Sequence, residues 1–336
     1  MSIETIIATN SEILDIGIIP ESIKVMSFQG EMSRVLSAES RTFGQVIIKT
    51  AITESGIQIA GVEEIDKNVQ GYKFIPSKFQ PEILLIDQEK TIMVMKNAGV
   101  PLRDLLWNNQ HDQPTCDLII RDLQRNLTDL VLQTKKVDVR LECSVYLKEI
   151  KSIGNLFLEG EFFPEKLRTG FNALFIKALS VKESVGAFAS IDSTQGNLLI
   201  DNSLNPSTLK LIDPKQPRVV NDIPNFIGIP EVDLGMFLVT VELNSPDVLK
   251  RLNLENMLVE VGKSIHSEKD SKLYLDLGRV FGCILIARFP NTLDRVEKYL
   301  RSFGVEPNAQ QKEFIATERE RHIEKALGIL RKYEKG

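Results

Sequence analysis

The order of apolar and polar positions divides the chain into two unlike parts. Between residues 24 and 50, KVMSFQGEMSRVLSAESRTFGQVIIKT, apolar clusters at Val25–Met26, Val35–Leu36 and Val46–Ile48 are broken by turn signals at Gln29–Gly30 and Glu39–Thr42, which predicts three short strands. Residues 60–74 switch to helical spacing, with Val62, Ile65 and Val69 on one face. Pro76 and Pro81 then interrupt the chain, and EILLID and KTIMVMK predict two more strands joined at Asp87–Lys90. NAGVPLRDLL leaves this sheet through a Gly-Pro linker into a helix. From there to about residue 188 the pattern is mainly helical. A hairpin follows over 196–213, with strands NLLID and LKLID, and helical segments are predicted at 233–243, 246–263, 271–288, 291–303 and 309–333. No internal repeat or low-complexity tract is present. The pattern predicts a strand-rich lobe over residues 1–97 and a larger helical lobe over 98–336 that carries one embedded hairpin.

Composition narrows the function classes. The 336 residues, 43% hydrophobic and 26% charged, are those of a soluble globular protein long enough for two lobes around a cleft. A net charge of −5 provides no global basic field for nucleic acid or an anionic membrane, so any phosphate-bearing ligand must be held by local groups. Cys116, Cys143 and Cys283 form neither a zinc spacing nor a disulfide framework, which favours a reducing compartment. The scattered His111, His266 and His322 argue against a histidine metal site. The N-terminus lacks a basic segment followed by an apolar core, and the longest apolar run, CILIA at 283–287, is too short to span a bilayer. The expectation is a cytoplasmic protein, monomeric or weakly dimeric.

Four features supply the roles that phosphoryl transfer needs: a cation on nucleotide phosphates, oxygen ligands for Mg²⁺ and a base near the accepting hydroxyl. VIIK places Lys49 at the end of the third strand, where a packed stem can carry its ammonium into a cleft; a surface lysine at a strand end is the plain alternative. The turn SFQGEMS, with its single Gly30, can cover phosphates or be an ordinary hairpin turn. On the following helix Glu63 and Glu64 are both available to pair with Lys49, and Glu64 is favoured by its place beside Ile65. Finally, SIDSTQGNLLID sets Asp192 five positions before Asn197, the D-x-x-x-x-N spacing of a kinase catalytic loop, and LKLIDPK ends the next hairpin strand with Asp213. Folding the hairpin brings Asn197 and Asp213 together as metal ligands and leaves Asp192 for the acceptor hydroxyl.

In order and type these motifs resemble the aminoglycoside phosphotransferase family, small-molecule kinases built on the protein-kinase fold. SIDSTQGNLLID resembles that family's H-G-D-x-x-x-x-N loop, LIDPK its metal-binding turn, VIIK its strand lysine, and VVNDIPNFIGIPEVDLGMFL its G-D-P…D-L segment, with Asp222 and Asp233 in the acidic positions. The resemblance covers roughly residues 20–240. It implies an α+β, protein-kinase-like bilobal fold with a small β-rich N-lobe and a larger helical C-lobe. It also implies ATP or GTP as donor, Mg²⁺ as cofactor, and base recognition by the backbone at 95–97, including Met95 and Asn97. The acceptor would be a hydroxyl on a small molecule. Asp213 is followed by Pro214 and Lys215 rather than completing D-F-G, so a protein substrate and a phosphorylated activation loop are not expected. Two departures stand out. Ser190 and Ile191 occupy the His-Gly positions, and Lys96 replaces the acidic residue common at the linker. These keep open a pseudokinase that uses nucleotide for regulation, and a nucleotidyl transferase is the third alternative. For a cationic acceptor, Glu142, Glu159, Glu161, Glu165, Glu231 and Glu242 are the acidic candidates, with solvated surface as their alternative.

Overall fold

The computed structural model describes residues 2–333 apart from 27–32, 54–55, 88, 90, 103–104, 106–112, 160–162, 182–183, 190–196, 202–207, 215–217, 245–252 and 289–308. The chain forms two compact units: Met1–Leu105 with Gly196–Pro217, and Leu106–Gln195 with Arg218–Gly336.

The first unit is built on an antiparallel sheet of β1 (Lys24–Val25), β2 (Arg34–Ser40), β3 (Gly44–Thr50), β6 (Ile83–Ile86) and β7 (Ile92–Lys96), in the order β1-β2-β3-β7-β6. A second ladder, β4 (Ile52–Thr53) with β5 (Gly56–Ile57), follows β3. Strand alternation decides which side chains meet. Leu36, Ala38, Val46, Ile48, Ile92 and Val94 share one face and bury against Ile3, Ile7 and Ile13 from two N-terminal helices, α1 (Ile3–Ala8) and α2 (Ser11–Asp15). Burying an aliphatic side chain of this size contributes about 1.5–3 kcal/mol. Both short helices are capped by side chains, Ser2 Oγ accepting from Thr5 N–H and Asn10 Oδ1 from Ile13 N–H.

The opposite face of β3 carries Ile47 and Lys49 and meets α3 (Ile59–Tyr72). The buried stripe of α3 differs from the predicted Val62–Ile65–Val69 face. Gly61, Ile65, Asn68, Gly71 and Tyr72 are buried, whereas Val62 and Val69 are half-buried. Hydrophobicity alone could not find this stripe, because it includes a polar residue that has a partner on β3.

The linker after β7 also does more than connect. Val100–Pro101 forms β8, which pairs with Leu199 and Ile200 of β11 (Leu198–Asp201), and β11 pairs in turn with β12 (Thr208–Leu211) in the predicted hairpin. Gly99 makes this junction possible. Its φ is +115°, and a Cβ there would collide with the Ile200 carbonyl.

The second unit contains the helices α4 (Gln113–Thr134), α5 (Arg140–Leu158), α6 (Glu165–Ser180), α7 (Pro230–Asn244), α8 (Leu254–Gly262), α9 (Glu268–Arg288) and α10 (Ala309–Leu330). β10 (Val185–Phe188) pairs with β9 (Lys136–Val137) and β15 (Ile227–Gly228). β13 (Arg218–Val220) and β14 (Ile223–Asn225) form a hairpin whose turn residues Asn221 and Asp222 both have positive φ, the two-residue geometry that Asn and Asp tolerate. α7 is apolar nearly all round, and Val232, Phe237, Leu238, Val239 and Val241 are fully buried, which makes it the central helix of this unit. It packs against α9 backbone to backbone: a Cβ on Gly278 would strike the Val232 carbonyl, and one on Gly235 the Leu275 carbonyl. The helix predicted at 291–303 lies outside the described residues. None of the described helices is long and apolar enough to cross a membrane.

Candidate functional site

Lys49 is the penultimate residue of β3, and its side chain is only 4% exposed. Its ammonium donates to Glu64 Oε1 at 2.9 Å, Asn68 Oδ1 at 2.8 Å and Asp213 Oδ1 at 2.5 Å. An ammonium has three protons, so these partners account for all of them. Burial acts to lower the Lys49 pKa, but the Asp213 and Glu64 carboxylates outweigh it and hold the group above the ordinary lysine value. Lys49 is therefore a fixed cation. Of the two glutamates left open by the sequence, Glu64 meets Lys49, while the more exposed Glu63 lies 3.8 Å from Lys67 one turn along α3.

Glu64, Asn68 and Tyr72 recur every fourth residue, which puts them on one side of α3. Asn68 uses both ends of its amide: Oδ1 accepts from Lys49, and Nδ2 donates to the Pro214 carbonyl at 3.3 Å. Burial first, and then the Asp213 carboxylate, push the Tyr72 phenol pKa well up, keeping it neutral. Sequence reading passed over Asn68; its spacing of four from Glu64 was the available signal.

Asp213 sits just beyond β12 with φ +50°, a left-handed conformation uncommon for a residue other than glycine. The Asn197 carbonyl accepts from Ile212 N–H at 3.0 Å, and Leu198 lies opposite Leu211, so Asn197 and Asp213 flank the same end of the hairpin. Met95 on β7 lies opposite Ile47, on the sheet face that carries Lys49. The Lys96 and Asn97 N–H groups donate to the Glu82 and Gln45 carbonyls at 2.8 and 3.0 Å. Both donors are spent within the sheet and are not available to a nucleotide base in this arrangement. Gly30, Ser190 and Asp192 lie outside the described residues.

Asp213 and Asn197 are hard oxygen donors of the kind that suit Mg²⁺, which commonly takes one or two protein ligands and completes its shell with phosphate and water. Asp213 is 40% exposed and so open to a ligand, and beside it Glu64 Oε2 is buried without a hydrogen-bond partner. The donor set fits such an ion. Among the described residues no cluster of three His, Cys, Asp or Glu side chains offers a different metal site.

Within the second unit a polar network surrounds the end of β10. Arg218 is buried, donates through Nη2 to the carbonyls of Ala189 (2.8 Å) and Ile227 (3.2 Å), and lies 4.7 Å over the Tyr146 ring. The Tyr146 hydroxyl donates to Asp233 Oδ1 at 2.5 Å. Burial, reinforced by Asp233, raises the Tyr146 pKa well above the usual phenol value. Asp233 thus has a structural partner, whereas Asp222 is exposed at its turn. Sequence reading missed Tyr146 and Arg218, whose roles depend on contacts made across the fold. Glu231 is not available to a cationic ligand. It is fully buried, 2.6 Å from His266 Nδ1, and it accepts from Ser271 Oγ at 3.2 Å.

No protein-family model matches the chain. No curated protein matches its sequence. Solved structures do resemble its fold. A candidate fructosamine-3-kinase from Thermobifida fusca YX-ER1 aligns with TM-score 0.54 and 12% identity over 97% of this chain and 99% of its own. The GDP and kanamycin complex of APH(2")-IIia aligns with TM-score 0.52 and 12% identity over 93% of this chain and 96% of its own. The sheet-bearing N-terminal region and helical C-terminal region are accordingly those of the kinase-like fold of small-molecule phosphotransferases.

Proposed function

We propose that this protein is a nucleotide-dependent phosphotransferase that moves the γ-phosphoryl group of ATP or GTP to a hydroxyl of a small molecule. The observation that carries this reading is the convergence of Lys49, Glu64 and Asp213, drawn from a strand, a helix and a hairpin end, around one buried ammonium. Packing gives no reason to assemble such a group, whereas phosphate binding does.

In this reading Lys49 binds the nucleotide phosphates and Glu64 orients it. Asn197 and Asp213 would hold Mg²⁺, which neutralises charge on the phosphates. The base would lie along the 95–97 backbone at the end of β7. Asp192, five positions before Asn197, orients the acceptor hydroxyl and takes its proton. The hydroxyl oxygen forms a bond to the γ-phosphorus, the bond to the bridging oxygen breaks, and the nucleoside diphosphate leaves.

The test is a phosphate-transfer screen of hydroxylated metabolites and antibiotics with ATP and GTP, run beside Asp192→Asn. Transfer by the wild type and its loss in Asp192→Asn, with Mg-nucleotide binding retained, is the expected result. A second reading, a nucleotide-regulated pseudokinase, draws on Ser190 in the position of the loop histidine. Mg-dependent nucleotide binding with no transfer to any acceptor would favour it.

A further inference from the structure

The three partners of Lys49 saturate its ammonium, so a phosphate oxygen can be accepted only if one partner is released. The three are not equivalent. Glu64 and Asn68 stand four residues apart on α3 and are fixed by the same helix. Asp213 stands at a hairpin end, is the most exposed of the carboxylates in the group, and is the residue that a cation would also claim. Asn68 is buried and ties the two sides together, accepting from Lys49 and donating to the carbonyl of Pro214, the residue after Asp213.

Resting on the proposed phosphotransferase reading, we propose that Asn68 is a positioning residue for an exchange at Lys49. When Mg-nucleotide enters, the Lys49 N–H that donates to Asp213 turns to a phosphate oxygen, the proton staying on Lys49, and the released Asp213 carboxylate becomes free to face the cation. Throughout the exchange Asn68 and Glu64 keep the ammonium in place, and Asn68 keeps the Asp213–Pro214 backbone within reach. An amide suits this task better than a carboxylate or an alkyl group, because it offers one acceptor and one donor and adds no charge that would compete with phosphate for Lys49.

Asn68→Leu, close in volume, removes both bonds, and Asn68→Asp keeps the acceptor while adding charge. Two measurements separate this role from simple filling of space. The first is acylation of Lys49 in the nucleotide-free protein, read by mass spectrometry. It should rise several-fold in Asn68→Leu and stay near the wild-type level in Asn68→Asp. The second is the Kd for ATP and for GTP with and without Mg²⁺. Asn68→Leu should weaken Mg-nucleotide at least about tenfold, and Asn68→Asp should bind it less tightly than the wild type. Unchanged Lys49 acylation and an unchanged Kd in a folded Asn68→Leu protein would overturn the proposal. A wild type that binds no Mg-nucleotide would overturn the phosphotransferase reading and the exchange with it, while the acylation result would still decide whether Asn68 holds Lys49.

Discussion

Lys49 and Asp213 are 164 positions apart in the chain and 2.5 Å apart in space. The contact joins the end of a strand to the end of a hairpin and sets a fixed positive charge beside a carboxylate that remains partly open. Asp213→Ala removes one of three partners from a buried cation and should cost about 1–3 kcal/mol, since the other two remain. Thermal unfolding would read this loss. The same variant should abolish the Mg²⁺-dependent part of any stabilisation by ATP or GTP. Equal stabilisation of wild type and variant by Mg-nucleotide would remove Asp213 from the proposed Mg²⁺ ligands.

Lys49→Met keeps the packed stem and removes the charge. Transfer in the screen above should fall by at least about a hundredfold, in keeping with the loss of a preorganised electrostatic contact to the phosphates. Titration of nucleotide against each protein would show whether the loss lies in binding.

Alkaline pH should destabilise the helical unit through Tyr146. Its phenol has a folded pKa raised well above 10.0, first by burial and then by Asp233, so the folded state holds this proton more tightly than the unfolded chain. The stability it confers is complete below about pH 10 and is lost as pH rises beyond that. Tyr146→Phe should unfold less steeply with pH above 10, while losing about 1–2 kcal/mol at neutral pH for the missing bond to Asp233. Denaturant midpoints measured at pH 7, 9.5 and 10.5 would test both parts.

Arg218→Met deprives the carbonyls of Ala189 and Ile227 of a donor in a buried setting and should cost about 2–4 kcal/mol. Ala189 immediately precedes the segment that contains Asp192. The variant should therefore also lower kcat for transfer while leaving the Kd of Mg-nucleotide near that of the wild type. A fall in nucleotide affinity as large as the fall in kcat would contradict this assignment.

Gly278→Ala should destabilise more than a routine helix substitution, by about 2–4 kcal/mol, because the added methyl meets the Val232 backbone and the two helices must separate. Gly99→Ala combines a backbone clash at Ile200 with a φ of +115° and should loosen the β8–β11 pairing. Faster amide exchange at residues 198–201 would register that change.

Much of this was legible in the chain because it is local. The apolar run closed by Lys49 in VIIK and the run EILLID each carry their own strand signal, and the hairpin strands around 196–213 fall where their apolar residues put them. Glu64 was legible through its place beside Ile65. What escaped was non-local. Val100–Pro101 reads as a linker until β11 lies beside it, and Pro is a poor strand signal in any sequence. Asn68 and Arg218 are polar residues that bury because of partners far away in the chain, and hydrophobic periodicity assigns such residues to the surface. Glu231 likewise reads as a candidate for an acidic pocket or as solvated surface, because His266 and Ser271, which hold it in the core, lie 35 and 40 residues further on.

The discontinuity of the first unit dictates an order of events on the ribosome. Met1–Leu105 emerges without Gly196–Pro217, so a sheet that folds as it emerges buries Lys49 before Asp213 exists. At roughly 5–20 residues per second this interval lasts about 6–20 s, long compared with the folding of a small sheet. During that time Glu64 and Asn68 are the partners that the emerging chain can offer Lys49. The residues that hold the lysine in the finished protein are also those available to shelter it while the rest is being made.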